Sequence, residues 1–254
     1  MIPVVAIILF ILGTIIASFV GVIVCRLGTG QGFIKGRSSC DVCSATLGLS
    51  SLVPVVSYVL SDGRARCCGA RISPVAPLSE LLLGGLFVLS YFSLGLTLSL
   101  APFLLSLSLL LALVLYDLSH QILPLSLLFV FIVSSIVTDF LFSPSLSEFS
   151  SNILTAFLIA TFLALIHFVS RGRAMGLADS PFAFGLALLV GHPAFTGFVF
   201  SFWIGAVIGI VLLLRRPVGS RMGVEVPFAP YLAAGFLFAY FTQWNLTTLI
   251  TGSP

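Results

Sequence analysis

The sequence predicts an all-α, polytopic membrane protein with about eight transmembrane helices and one cysteine-containing cytoplasmic loop subdomain. Composition is the first reason. Hydrophobic residues make up 59% of the 254 and charged residues only 7%, against roughly 25% charged in an ordinary soluble domain. The 11 basic and 8 acidic side chains cannot coat a folded body of this length in water, so lipid has to serve as solvent. The second reason is segmentation: apolar runs recur at the length of about 20 residues that spans a hydrocarbon core of about 30 Å. The same numbers exclude a disordered chain and a small secreted disulfide scaffold.

The candidate spans run approximately 3 to 25, 77 to 98, 101 to 118, 124 to 142, 152 to 170, 181 to 191 with its neighbours, 194 to 214 and 228 to 248. The first lacks a basic start and is followed by Arg26 instead of a small-residue cleavage site, so it reads as a retained helix and not as a signal peptide. The sixth is short. Gly191-His192-Pro193 separates it from the seventh as a tight turn, because Gly and Pro stop helices. The remaining sizeable segment, residues 26–76, is rich in Gly, Ser and Cys and is the one candidate soluble subdomain. The expected organisation is a first helix over 1–25, the cysteine loop over 26–76, and a transmembrane core of about seven helices over 77–254.

Loops rich in Lys and Arg stay cytoplasmic. Arg26, Lys35, Arg37, Arg64, Arg66 and Arg71 lie in the first loop, Arg171 and Arg173 follow the fifth span, and Arg215, Arg216 and Arg221 follow the seventh. With eight spans all of them fall on one face and both termini lie outside. Topology therefore accounts for the net charge of +3, and nucleic acid is not an expected partner.

Carboxylates beside apolar spans are costly, on the order of 2.5–3.5 kcal/mol at mid-bilayer, and call for a reason. Asp117 ends an inward-going span, and Asp179 lies where another turns back. Both are expected at the cytoplasmic boundary, where they can meet; Asp139 and Glu148 fall on the opposite side. Two adjacent carboxylates share one proton, which is the aspartic-protease arrangement of one general base and one general acid. The plain alternative is that each Asp caps a helix end or faces solvent. The sequence has no G-x-S-x-G elbow and no H-E-x-x-H pair, and His120, His167 and His192 read as satisfied helix-end residues.

Several separated stretches resemble the type IV prepilin peptidase family. Ala17-Ser18-Phe19 and Val22 to Leu27 resemble its first-helix pattern, and Cys40-Asp41-Val42-Cys43, Leu52 to Tyr58 and Cys68 to Pro74 follow in family order. Glu80-Leu81-Leu82, Asp117 with Leu123-Pro124, Gly176 to Asp179 and Val226 to Leu232 resemble its later motifs. The resemblance implies that Asp117 and Asp179 are the catalytic pair of a membrane aspartic endopeptidase. Its substrates would be type IV prepilins or type II secretion pseudopilins, cut after a glycine at the cytoplasmic end of their hydrophobic segment in the bacterial inner membrane. Many members also methylate the new N-terminus with S-adenosylmethionine. Ala178 stands where the second motif has glycine, which would restrict the backbone if a positive φ were needed there. The competing functions are a degenerate relative acting as methyltransferase or scaffold, and a proton- or cation-coupled transporter.

The cysteines carry the cofactor expectation. Cytoplasmic thiols stay reduced, and Cys40 and Cys43 have the C-x2-C spacing of a zinc site. Against the family pattern Ala65 occupies the third cysteine position, Cys68 the fourth, and Cys67 is an extra neighbour. The expected ligands are Cys40, Cys43 and Cys68, with Cys67 or a non-cysteine group fourth. Neighbours in an extended chain point apart, so Cys67 and Cys68 could both bind only at a sharp turn. Cys25 is expected to be a buried, small apolar residue of the first helix.

Overall fold

A computed structural model describes residues 2–27, 40, 42–46, 48, 53–173, 175–214 and 227–244. Lys35, Arg37, Asp41, Arg215, Arg216, Arg221 and Glu225, which enter the charge reading, lie outside the described residues. Nine helices occur among the described residues: α1 Ile2–Arg26, α2 Val56–Leu60, α3 Val75–Leu94, α4 Leu100–His120, α5 Leu125–Phe142, α6 Leu146–Ser170, α7 Asp179–Val190, α8 Ala194–Leu214 and α9 Ala229–Thr242. All but α2 correspond to the expected apolar segments. The chain divides after Leu96 into two units, residues 1–96 and 97–254.

The first unit pairs α1 with α3 and carries the cysteine loop. The two helices cross where Gly13 meets Gly84: a Cβ on Gly13 would lie 2.8 Å from the Gly84 Cα. Absence of side chains at both positions is what lets the backbones touch, as small residues commonly allow between membrane helices. Glu80, buried on α3, accepts a 2.7 Å hydrogen bond from the Val55 N–H. Val55 has φ +59, a strained conformation for a β-branched residue, and the carboxylate holds its amide just before α2.

The second unit packs α7 against α5, α6, α8 and α9, with α4 against α5 and α9. Ten of the twelve residues of α7 are buried, so it is an interior helix. Its length of about 18 Å at 1.5 Å per residue falls short of the hydrocarbon thickness, and α9, with 14 residues, is also short. Six of the nine helices are long and apolar enough to cross a membrane. Apolarity alone does not separate a helix facing lipid from one enclosed by protein, which is why α7 resembles a span in the sequence.

The expected start of the fifth span at 152 is corrected to Leu146. The polar stretch Ser145 to Asn152 is helical because it starts with a cap: the Ser145 hydroxyl accepts from the Glu148 N–H at 3.2 Å, and the S-x-x-E spacing is that of a capping box. Four other ends follow turn chemistry. Gly95 (φ +65) stops α3, Gln121 (φ +55) stops α4, Pro124 precedes α5, and Arg171 (φ +53) stops α6.

Candidate active site and cysteine cluster

One end of the second unit gathers the C-terminal turns of α4 and α6 and the first turns of α7 and α9. Asp117 sits in the last turn of α4 and is 6% exposed, and Asp179, the first residue of α7, is 8% exposed. Their carboxylates are close enough for their charges to interact. Topology predicts that these two acids can meet, and in the structure they share a site. Asp139 does not join them. It lies with Ser143, Asn152 and Gly191 around the ends of α5, α6 and α7.

Each acid of the pair accepts a backbone amide. Asp117 Oδ2 receives the Ala229 N–H at 3.2 Å, one of the donors that the first turn of α9 leaves without an intrahelical partner. The positive end of that helix faces the carboxylate. Asp179 Oδ2 receives the Gly176 N–H at 3.1 Å, while the Asp179 N–H returns to the Gly176 carbonyl at 3.3 Å. These contacts match the helix-capping alternative as far as they go. Capping does not require two acids from distant segments to be buried within electrostatic reach of each other.

The backbone beside Asp179 answers the question raised by Ala178. Its φ is −67 and its ψ −18, ordinary right-handed values that any residue adopts. Glycine is not needed there. Ser180 Oγ donates to the Ala160 carbonyl at 2.7 Å and ties the start of α7 to the middle of α6. His167, near the end of α6, bonds the Met175 carbonyl through Nδ1 at 2.9 Å. It is satisfied, as expected of a helix-end histidine, but the partner is the loop that carries Asp179, which no spacing in the sequence shows. The amide of Ala229 is equally hidden, although Pro230 after it marks a helix start.

In the first unit Cys40, Cys43, Cys67 and Cys68 bring their sulfurs within 4.8 Å of one another. Cys43 to Cys67 is 3.3 Å, Cys40 to Cys68 is 3.7 Å and Cys67 to Cys68 is 3.9 Å. Four sulfurs at about 2.3 Å from a tetrahedral zinc ion stand about 3.8 Å apart, so the cluster has the dimensions of a zinc thiolate cage and the residues fit the metal. Cys25 on α1 lies outside it, as expected, but it is exposed and not buried, which corrects that part of the expectation.

Two matching turns build the cage. In the first, the Cys40 N–H bonds the Ala45 carbonyl at 2.9 Å and the Ser44 N–H returns to Cys40 at 2.8 Å. In the second, the Ala65 N–H bonds the Ala70 carbonyl at 2.8 Å and the Gly69 N–H returns to Ala65 at 2.7 Å. Ser44 (φ +58) and Gly69 (φ +71) occupy the same left-handed place. By this correspondence Cys43 matches Cys68, Cys40 matches Ala65, and Cys67 falls where Val42 stands. The turn supplies the sharp bend that lets adjacent Cys67 and Cys68 converge. The backbone N–H of Cys43, then that of Val42, pull the Cys40 thiol down to about 6. Hydrogen bonding with Cys43 and then Cys40 pushes Cys67 up to about 12.

The family model described as Bacterial Peptidase A24 N-terminal domain matches residues 11–94, most of the first unit. A Bacillus subtilis (strain 168) protein named prepilin leader peptidase/N-methyltransferase is 32% identical over 238 residues, covering 92% of each chain. A Myxococcus xanthus (strain DK1622) protein of the same name is 31% identical over 84% of this chain and 64% of its own, and one from Klebsiella pneumoniae is 35% identical over 46% and 54%. No solved structure matches. The apolar helices make this a multi-pass membrane protein, and identity sustained over nearly its whole length shows that the chain belongs to the prepilin leader peptidase/N-methyltransferase family.

Proposed function

We propose that this chain is a membrane aspartic endopeptidase that removes the leader peptide of type IV prepilins or type II secretion pseudopilins at the cytoplasmic face of the inner membrane. Both termini then lie outside. The observation that supports this best is the pair of buried acids, Asp117 and Asp179, within electrostatic reach of each other at one end of the second unit. The ionised acid takes a proton from water as the water oxygen attacks the scissile carbonyl. The protonated acid hydrogen-bonds that carbonyl oxygen, and the proton taken from water passes to the leaving nitrogen as the C–N bond breaks. Transport is disfavoured by the same geometry, because both acids sit at helix ends and not in broken helices at mid-membrane.

The depth of the dyad requires the substrate's hydrophobic helix to lie in the bilayer and unwind at its cytoplasmic end. A glycine before the cut makes unwinding easier, by about 1 kcal/mol relative to alanine. Replacing it with a bulky residue should slow cleavage far more than changing distant apolar residues; equal rates in a precursor-processing assay would contradict this reading.

Asp139 provides an internal comparison. It is 2% exposed, and its Oδ1 accepts from Asn152 at 2.8 Å and from Ser143 at 3.4 Å. Asn keeps an acceptor for Asn152, so Asp139→Asn is expected to retain turnover within about threefold, whereas Asp139→Leu removes the acceptor of the half-buried Asn152 amide and should lower thermal stability by about 1–3 kcal/mol. Kinetics and thermal unfolding in detergent check both.

We also propose that Cys40, Cys43, Cys67 and Cys68 hold a structural zinc ion. When bound it cross-links the two turns of the first unit. The relatives' name supports N-methylation of the new N-terminus, with S-adenosylmethionine as donor, and no described residue is assigned to that donor.

A further inference from the structure

We infer that His167 is a positioning residue for Asp179, acting through the single peptide group that joins Met175 to Gly176. The inference rests on the proposed peptidase dyad. A carbonyl oxygen can only accept, so His167 Nδ1 carries the hydrogen directed at the Met175 carbonyl, 2.9 Å away. The N–H at the other end of that peptide group belongs to Gly176, and it donates to Asp179 Oδ2 at 3.1 Å. Because the peptide is planar and its C=O and N–H point in opposite directions, fixing the carbonyl fixes the direction of the amide. His167 thus aims the donor that holds Asp179.

The local chain is shaped to let the ring do this. After α6 ends at Ser170, Arg171 (φ +53) and Gly172 (φ +75) turn the backbone back, with the Gly172 N–H on the His167 carbonyl at 2.8 Å. A Cβ on Gly172 would stand 3.3 Å from His167 Cε1, so a side chain there would crowd the imidazole. Gly176 is likewise close to the acid, since a Cβ on it would stand 3.5 Å from Asp179 Oδ2. The imidazole is also near enough to Asp179 for their charges to interact. Without the ring the 175–176 peptide is free to rotate, and Asp179 loses its amide donor even though no catalytic atom has been removed.

Two substitutions separate this role from bulk packing. In Asn the side-chain nitrogen stands the same number of bonds from Cα as His Nδ1, so His167→Asn keeps the donor; His167→Leu removes it and keeps an apolar volume. Full-length protein in detergent is assayed for precursor cleavage, for thermal unfolding, and for amide exchange over residues 171–179. His167→Leu is expected to lower kcat by about 10- to 100-fold, the scale of a small misplacement of a reacting group, at unchanged KM, with faster exchange at Gly176 and unchanged exchange in α4. His167→Asn should restore most of both. Exchange at 171–179 equal to wild type in His167→Leu, or Asn behaving like Leu in exchange and kcat, would overturn the inference. If wild-type protein leaves the precursor intact while exchange still follows the expected order, the His167 contact stands and the peptidase reading falls.

Discussion

Asp117→Asn and Asp179→Asn should each reduce precursor hydrolysis on the order of 10²- to 10⁴-fold, the scale of losing a general acid or base, while the protein still folds. The argument rests on what Asn preserves. Its amide oxygen can accept the Ala229 N–H in place of Asp117 Oδ2, and the Gly176 N–H in place of Asp179 Oδ2. Any capping role survives the change. What disappears is the ionisable proton, so turnover separates a catalytic pair from two helix caps. Unchanged cleavage by either variant, measured against Asp139→Asn, would leave capping as the only role of that residue.

The second large effect concerns zinc. Purified protein should carry about one equivalent, falling close to none when Cys40 and Cys43 are both replaced by Ser, because two thiolates cannot retain a tetrahedral structural site. The paired turns allow a sharper test. Ala65 occupies the place that Cys40 holds in the first turn, while Cys67 reaches the cage from a different position of the second. Combining Ala65→Cys with Cys67→Ser should therefore move one ligand to the corresponding site and retain the metal, whereas Cys67→Ser alone should weaken it. Elemental analysis reads each outcome, and zinc content indifferent to these changes would refute the site. Structural zinc in small folds contributes about 10–16 kcal/mol of apparent binding energy. Its removal should destabilise the cysteine loop and any methyl transfer more than hydrolysis, since Asp117 and Asp179 belong to the other unit.

Much of this is legible in the residues themselves. Apolar length marks eight helices, and the alternation of their direction brings Asp117 and Asp179 to one end. The start of α6 is misplaced by apolarity because a capping box makes polar residues helical, and the enclosure of α7 is invisible because a buried helix and a lipid-facing one are equally apolar. Ala178 raises a concern that its φ of −67 removes. The left-handed Ser44 hides the likeness of the two cysteine turns, since Gly69 alone advertises such a conformation. The peptide group shared by His167 and Asp179 depends on how a loop folds back on its own helix, and residue spacing carries no record of that.

The most direct measurement is mass analysis of a purified pilin precursor incubated with purified full-length protein in detergent, alongside Asp117→Asn and Asp179→Asn. The expected result is a single cut after the glycine at the cytoplasmic end of the hydrophobic segment by the unmodified chain, and intact precursor with either variant. Intact precursor with the unmodified chain, or the same cut with both variants, would contradict catalysis by this pair of acids.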